Sequence, residues 1–285
     1  MTAQCTPLQQ KPRSWKASLA LEFALREQVT RIVANRHCGP LRVLKPFYPE
    51  PLCCHTYLLH PPGGLVLGDE LSIDIWVNKG AHALITTPSA GKVYGVERAK
   101  EKQLQTVTLS AGASACLEWL PQETLIFNGA NTVLSTEAHL AGDANLALWD
   151  VVCFGRPASG LDFISGRCVQ SIRIFRDGVP LLIERNVVDG GGDLQRCHWG
   201  LGGANSMGTF VLTVSSEREQ RQNWIEALQL RFGGQWGITQ KGELCITRYL
   251  GDSASRCRQG FEWLWHLLRT QLNGKTAVAP RIWAT

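Results

Sequence analysis

The sequence is short of charge and has no long hydrophobic run. Asp, Glu, Lys and Arg make up 19% of its 285 residues, below the roughly 25% that is usual for soluble domains. Because 44% of the residues are hydrophobic and ten are Trp, we expect partner proteins to cover part of its apolar surface. No stretch approaches about 18 consecutive apolar residues, which argues against a membrane-spanning helix. The N-terminus also lacks the apolar core of a signal peptide, so we expect a cytoplasmic protein.

The sequence lacks the common motifs of nucleotide-binding and hydrolase sites and the charge pattern of nucleic-acid-binding proteins. The segment Ser89-Ala90-Gly91-Lys92 is similar to the end of a phosphate-binding loop, but Thr86 and Val93 replace residues which that loop needs. No GxSxG or GxGxxG pattern is present. The net charge of +5 includes no run of five basic residues, which disfavours nucleic-acid binding.

The ten cysteines do not form a recognisable metal or disulfide pattern. Cys and His adjoin at His37-Cys38, Cys54-His55 and Cys197-His198, and His60 follows five residues after His55, but no pair has CxxC spacing. A structural zinc site is therefore not expected, and we interpret most of these residues as packing residues. For a cytoplasmic chain the cysteines are predicted to be reduced, mostly buried thiols.

Alternation of apolar and polar residues predicts a chain made mainly of strands. The clearest stretches are Trp15 to Arg26 and Leu71 to Val77, where every second residue is apolar, as in a half-buried strand. Further strands are predicted at 56–59, 83–87, 104–109, 115–120, 132–140, 146–154, 169–175, 181–188 and 210–214.

Helical spacing appears only near the C-terminus. Ser216 and Glu219 form a capping-box pattern before a helix that ends at Gly233-Gly234. A second helix is predicted from Ser253 to Leu272 because an apolar stripe recurs every three or four residues, with Gly274 at its end. We expect one β-rich domain over residues 15–285 carrying these two C-terminal helices, preceded by a flexible segment over 1–14.

Three carboxylates stand in contexts where burial is expected: Asp69 after a glycine-rich turn, Asp150 after Trp149, and Glu184 in a predicted strand. A carboxylate among apolar neighbours needs a hydrogen-bonding partner, a cation or water. One interpretation is structural, with each carboxylate accepting backbone hydrogen bonds or pairing with an Arg. The other is a polar path through an apolar body. Arg156, in the turn 155–160, could bind a carboxylate inside the protein or across an interface.

Several motifs in succession resemble the urease accessory protein UreD (UreH) family. They are Gly39-Pro40-Leu41-Arg42-Val43, Lys45-Pro46-Phe47-Tyr48-Pro49-Glu50, Tyr57 to Gly64, Leu117 to Glu123, Gly155-Arg156-Pro157 and Pro280-Arg281-Ile282-Trp283. The resemblance spans Trp15 to Thr285. It departs from the family pattern at Leu67, where a second Gly is usual, and at Gly95, where an Arg is usual.

The resemblance implies a fold and a role. It implies a mainly β, elongated, β-helix-like or multi-sheet scaffold without enzymatic activity, which binds UreF, is linked through UreF to the GTPase UreG, and docks on apo-urease for assembly of the nickel metallocentre. Nickel would pass through the interior as cargo, with no tightly bound cofactor. Asp69, Asp150 and Glu184 match family carboxylates proposed to line that passage, and Lys92 matches a lysine of a glycine-rich turn.

Two alternative functions remain open at this level. A β-rich hydrolase or lyase would use two of the three carboxylates as acid and base, and would place them close together in a pocket. A module that binds a small ligand would present an exposed aromatic platform instead of a buried channel.

Overall fold

The chain is mainly β, as predicted. The computed structural model describes residues 14–96 and 101–284, which form seventeen strands and three α-helices. The strands up to residue 120 are β1 (Lys16–Arg26), β2 (Val29–Cys38), β3 (Arg42–Val43), β4 (Cys53–Leu59), β5 (Glu70–Val77), β6 (His82–Thr86), β7 (Gly91–Val93), β8 (Gln103–Ala111) and β9 (Cys116–Trp119). The later strands are β10 (Thr124–Ile126), β11 (Asn131–Leu140), β12 (Asn145–Phe154), β13 (Arg167–Arg176), β14 (Val179–Asp189), β15 (Ser206–Leu212), β16 (Gln235–Lys241) and β17 (Leu244–Gly251). The helices are α1 (Asp193–Arg196), α2 (Arg218–Phe232) and α3 (Ala254–Asn273).

The strands form two large sheets. The first sheet has seven strands in the order β14-β13-β11-β8-β5-β1-β2. The second has the order β16-β17-β15-β12-β9-β6-β4-β3, and β10 joins it by pairing with β12 and β7. From β4 to β13 the principal strands alternate between the two sheets, so neighbours within a sheet are parallel. This winding is the β-helix-like, multi-sheet arrangement that the family resemblance implies.

The pattern of burial follows from a three-layer packing. On β1, Ala17, Leu19, Leu21 and Phe23 are buried while the residues between them are more exposed, because only one face of the first sheet is covered. In contrast, β6 and β15 are buried along their whole lengths. The second sheet is covered by the first sheet on one face and by the helices on the other, and strands covered on both faces lose the alternation.

Two apolar cores result from these layers. One lies between the sheets, and the other lies between the second sheet and the helices. Helix α3 approaches β15 closely because Gly208 has no side chain, and a Cβ atom there would overlap Cys257 and Phe261 of the helix. This close approach brings polar groups of α3 into contact with the second sheet.

The predicted helices are present, with one correction at a cap. Helix α3 begins after Ser253, whose side chain accepts the backbone N–H of Arg256, and it ends at Gly274 in the left-handed conformation. The capping box of α2 is formed by Glu217 and Gln220. The prediction of Ser216 and Glu219 was therefore wrong by one residue, because Glu217 is the residue that takes the extended cap conformation.

Some elements were not predicted. Strand β2 pairs along β1, and β16 and β17 form a hairpin at the end of the second sheet. The glycine-rich stretches near 190 and 200 enclose the one-turn helix α1. The flexible segment predicted over 1–14 lies outside the described residues except for Ser14.

Candidate functional site

A cavity of about 340 Å³ lies between the two sheets. Its walls are mostly apolar and come from both sheets, whereas the exposed residues Pro61, Gly63 and Ser89 lie at its rim. Nine of the lining residues have polar or ionisable side chains, namely His60, Thr87, Ser89, Lys92, Gln105, Gln122, Thr124, Thr136 and Asp150. A cavity whose wall is mostly apolar and carries some polar groups can hold or pass a small polar species.

Asp150 lies where this cavity meets the interior of the protein. It is on β12 and points toward the first sheet, where its Oδ2 accepts a hydrogen bond of 2.9 Å from Nε2 of Gln170. Burial raises the pKa of Asp150, and the negative charge of Glu184 adds to that rise, whereas the hydrogen bond from Gln170 opposes it. Among the described residues, Asp150 has no ion-pair partner.

Glu184 lies on β14 on the same inner side and is held by three donors. Its Oε1 accepts from Oγ1 of Thr209 at 3.1 Å and from Nδ2 of Asn186 at 3.4 Å. Its Oε2 accepts from Nη2 of Arg248 at 2.5 Å. The structure therefore satisfies this carboxylate with an Arg and two neutral groups.

Two amide side chains connect the carboxylates. Asn186 donates from Nδ2 to Oε1 of Gln170 at 2.9 Å, and Gln170 in turn donates to Asp150. Gln170 and Asn186 are register partners on β13 and β14. The result is a continuous line of polar side chains, Asp150-Gln170-Asn186-Glu184-Arg248, which runs between the sheets and which we call the polar line. Sequence reasoning named its two carboxylates but missed both amides and Arg248.

Asp69 occupies a different place. It is buried beside the cavity mouth, where its Oδ1 accepts the backbone N–H of Trp15 at 2.8 Å and its Oδ2 accepts that of Val66 at 2.9 Å. Burial lowers the pKa of the nearby His60, and the negative charge of Asp69 partly offsets that effect. Asp69 thus fixes the loop that forms part of the cavity wall and adds negative charge at its mouth.

The two basic residues of the sequence motifs are both near this region. Lys92 is on β7 and lines the cavity, while its backbone oxygen accepts the N–H of Leu65 at 2.8 Å. Arg156 is exposed, and its guanidinium carbon lies 4.8 Å from the centre of the Phe127 ring. Stacking on an aromatic ring leaves the donors of this guanidinium available at the surface.

A second buried polar group lies on the other face of the second sheet, under α3. Arg269, with no exposed side-chain area, donates to Glu50 and Glu118, with nitrogen to oxygen distances of 2.6 and 2.8 Å for the closest contacts. His55 bonds to Glu50 at 2.8 Å and His82 to Glu118 at 2.6 Å. We call these five residues the Arg269 cluster.

The charges of the Arg269 cluster balance internally. Burial alone would raise the pKa of Glu118, but His82 and Arg269 lower it to about 2, and His55 and Arg269 have the same effect on Glu50. Burial opposes protonation of His82, yet contacts with the Cys116 and Cys53 side chains raise its pKa well above the usual value.

Side chains of the Arg269 cluster form, together with Cys53, two groups that are close enough to hold a metal ion. Donor atoms of Cys53 and His82 lie within 4.8 Å of Glu118, and those of Cys53 and His55 within 4.8 Å of Glu50. The guanidinium of Arg269 already lies between the two carboxylates, and a metal cation would meet its positive charge there. We therefore interpret the cluster as an internal ion-pair network that attaches α3 to the sheet. Arg269 falls within the apolar stripe of α3, four residues after Trp265, and that position was a sequence signal for its burial.

The cysteine predictions agree with the structure over the described residues. All nine cysteines there are free, and seven are buried, with Cys38 exposed and Cys197 partly exposed. His37, beside Cys38, is exposed as well. Among the described residues, neither the Cys38 nor the Cys197 pairing takes part in a group of three metal-donor side chains.

Comparison with known proteins now decides the family. The chain matches the family model described as UreD urease accessory protein over residues 16–284. It belongs to the UreD family of urease accessory proteins. It is similar to urease accessory protein UreD of Saccharophagus degradans, with 50% identity over 277 residues that cover 96% of this chain and 94% of that protein. It is also similar to the UreD proteins of Chromohalobacter salexigens and Pseudoalteromonas translucida, each at 43% identity over 96% of this chain and 90% and 92% of theirs.

The structure of this UreD family member also addresses the alternatives left open by the sequence. A hydrolase would need two carboxylates facing each other across a pocket, but two amides lie between Asp150 and Glu184. For the alternative of a small-ligand module, the relevant feature is a row of Trp76, His139 and Phe175 on the outer face of the first sheet.

No helix of the described residues is long and apolar enough to cross a membrane.

Proposed function

We propose that the protein delivers nickel to apo-urease as a non-enzymatic scaffold. In this role it docks on apo-urease and binds UreF, which links it to the GTPase UreG. Nickel is cargo that moves along the cavity and the polar line between the sheets. The observation that supports this proposal best is the continuity of the polar line from Asp150 to Glu184 inside an otherwise apolar body.

The chemistry of the polar line suits transit more than storage. Ni²⁺ accepts carboxylate and imidazole ligands. A route must offer ligands that are weak and sparse enough to release the ion again. Asp150 and Glu184 supply carboxylate oxygens separated by the amide oxygens of Gln170 and Asn186, and His60 supplies an imidazole at the cavity. In this proposal Asp69 contributes negative charge at the mouth, and Lys92 and Arg156 belong to the surrounding loops and surface.

The surface supports a role in a protein complex. Large apolar side chains are well exposed at Ile164, Trp199 and Leu230, the last with 89% of its area accessible. Exposed apolar area of this kind is typical of surfaces that partner proteins cover. The nine free cysteines of the described residues are consistent with the reducing environment of the cytoplasm, where we place the protein.

The experiment is to mature urease with complexes that carry Asp150→Asn, Glu184→Gln or Asp69→Asn. Nickel content and activity of the urease are measured together with the subunit ratio and melting temperature of each complex. Asp150→Asn and Glu184→Gln should leave assembly intact and give nickel-poor urease. Asp69→Asn should lower the melting temperature because Asp69 holds two backbone donors.

The matched control is Asp143→Asn, a carboxylate on an exposed turn that contacts Ser114 away from the cavity. It should mature urease normally. Full nickel loading with both Asp150→Asn and Glu184→Gln, singly and combined, would show that the polar line carries no nickel.

A further inference from the structure

The polar line is closed at only one of its ends by a positive charge. At the inner end, Asp150 meets the Gln170 amide and the cavity. At the outer end, Glu184 pairs with Arg248. This difference suggests that the two ends behave differently toward a cation.

The register of the second sheet fixes where Arg248 lies. Asp150 of β12 is opposite Thr209 of β15, and Thr209 is opposite Arg248 of β17. Neighbouring strands are about 4.8 Å apart, so Arg248 lies roughly 10 Å from Asp150 across the sheet. Its side chain is 45% accessible, whereas that of Glu184 is 16% accessible. Arg248 therefore lies where the polar line reaches solvent.

Both carboxylate oxygens of Glu184 are engaged while Arg248 is bound. Its Oε1 is taken by Thr209 and Asn186 and its Oε2 by Arg248. The guanidinium also cancels the charge that would attract a divalent ion. A dication at Glu184 would have to lie beside this positive charge, and like charges at that distance repel strongly.

Arg248 itself is not firmly held. Glu184 is its only ion-pair and side-chain hydrogen-bond partner among the described residues. Ion pairs with a half-exposed partner contribute little to stability, since water and salt screen them. A rotation of this long side chain into solvent would uncover Glu184 without disturbing the sheets.

We propose that Arg248 is a removable lock on the outer end of the polar line, an inference that rests on the proposed nickel-delivery function. With Arg248 on Glu184, the outer end binds a divalent cation only weakly. When the guanidinium turns away, Glu184 and the side-chain oxygens of Asn186 and Thr209 form an oxygen-donor station for the ion. Arg248 acts through Glu184, so it is a positioning residue and not a ligand.

The test measures binding of Ni²⁺ alone to the purified full-length protein, kept with its co-expressed partner if it requires one, by equilibrium dialysis at pH 7. Arg248→Met keeps the aliphatic stem and removes the charge. Loss of one positive charge about 4–5 Å from a dication in water-like surroundings should tighten binding about twentyfold. Arg248→Lys should bind like the wild type, and Glu184→Gln combined with Arg248→Met should lose the gain.

The matched control is Arg185→Met, which removes the same charge from the neighbouring position on the exposed face of β14. Equal Ni²⁺ affinity of Arg248→Met and Arg185→Met would overturn the lock. If Arg248→Met does not keep the wild-type melting temperature, Arg248→Gln replaces it, and its Ni²⁺ affinity is compared with that of Arg185→Met.

Urease maturation separates this inference from the function on which it rests. If neither Asp150→Asn nor Glu184→Gln changes the nickel content of urease, the proposed path is wrong, and the lock with it. If both lower it while Arg248→Met changes neither Ni²⁺ affinity nor urease loading, only the lock is wrong. Tighter Ni²⁺ binding that depends on Glu184, with altered urease loading, supports both.

Discussion

Arg269 and Glu118 lie 2.8 Å apart, and neither side chain has any exposed area. The contact joins α3 to β9 of the second sheet, and Glu50 and the two histidines complete the Arg269 cluster around it. Such a buried charge network specifies the position of the helix, because each charge depends on its partners for compensation.

Arg269→Met should destabilise the protein by about 3–5 kcal/mol, because it leaves two buried carboxylates without their shared cation. Urea unfolding followed by tryptophan fluorescence measures the change. Arg196→Met is the matched control, since its pair with Asp193 is highly exposed, and it should change stability by less than about 0.5 kcal/mol. Similar effects of the two variants would contradict the network.

Stability should fall in acid because of Glu50 and Glu118. Their pKa values are lowered from 4.5 to about 2 in the folded protein. Their contribution is therefore complete above pH 4.5 and is lost as the pH falls toward 2, by at most about 3 kcal/mol for each carboxylate. Unfolding free energy measured from pH 6 to 2 should show a shallower decline for Glu118→Gln, in which one of the groups no longer titrates.

At alkaline pH the sign is opposite and His82 is the relevant group. Its pKa is raised above 6.5 in the folded protein, so its contribution is complete below pH 6.5 and is lost as the pH rises through the folded value. Unfolding measurements from pH 6 to 9 should show this loss in the wild type and not in His82→Gln. An identical alkaline profile for the two proteins would contradict the raised pKa of His82 in the folded protein.

Trp265→Ala should cost about 3–5 kcal/mol, because the indole is fully buried in the core beneath α3. Its Nε1 also donates to Oε2 of Glu118 at 2.6 Å. Trp265→Phe retains part of the packing and removes the donor, so we expect a smaller loss of about 1–3 kcal/mol. Thermal unfolding of both variants checks this order. An unchanged melting temperature for Trp265→Ala would contradict the burial of Trp265 in the core beneath α3.

Gly95→Ala should lower the melting temperature of the protein. A Cβ atom at Gly95 would overlap the backbone oxygen of Asn128, so the loop could accept it only by moving. Gly63→Ala does not provide a clean control because Gly63 has a positive φ, but Gly237→Ala does, since nothing lies within 4 Å of a Cβ there. Equal melting temperatures for the two variants would show that the contact with Asn128 does not destabilise Gly95→Ala.

Much of the secondary structure could be predicted from local pattern. Strand β1 and helix α3 carry complete periodic signals, and both are found within two residues of their predicted limits. Strand β2 was missed because it is polar and largely exposed, with Arg31, Arg36 and His37 facing solvent. Its place depends on backbone pairing with β1, which leaves no periodic mark in an edge strand.

The candidate site was only partly accessible from sequence. Asp69, Asp150 and Glu184 could be singled out because a carboxylate in an apolar context needs a partner. Their partners could not be named, since Trp15, Gln170 and Arg248 lie 54, 20 and 64 residues away along the chain. Arg269 was missed for the same reason, because Glu118 is 151 residues away.

The sequence by itself determined the β-rich class, the two C-terminal helices and the UreD family, because alternation, helical stripes and ordered motifs are all local properties of the chain. Only the tertiary structure decided that the principal strands from β4 to β13 alternate between the two sheets and pair in parallel with their neighbours. That winding brings Asp150, Gln170 and Glu184 into one line and encloses the cavity beside it. Contacts of this kind depend on strand register and layer packing, and these are set by the burial of the whole chain and not by any one segment.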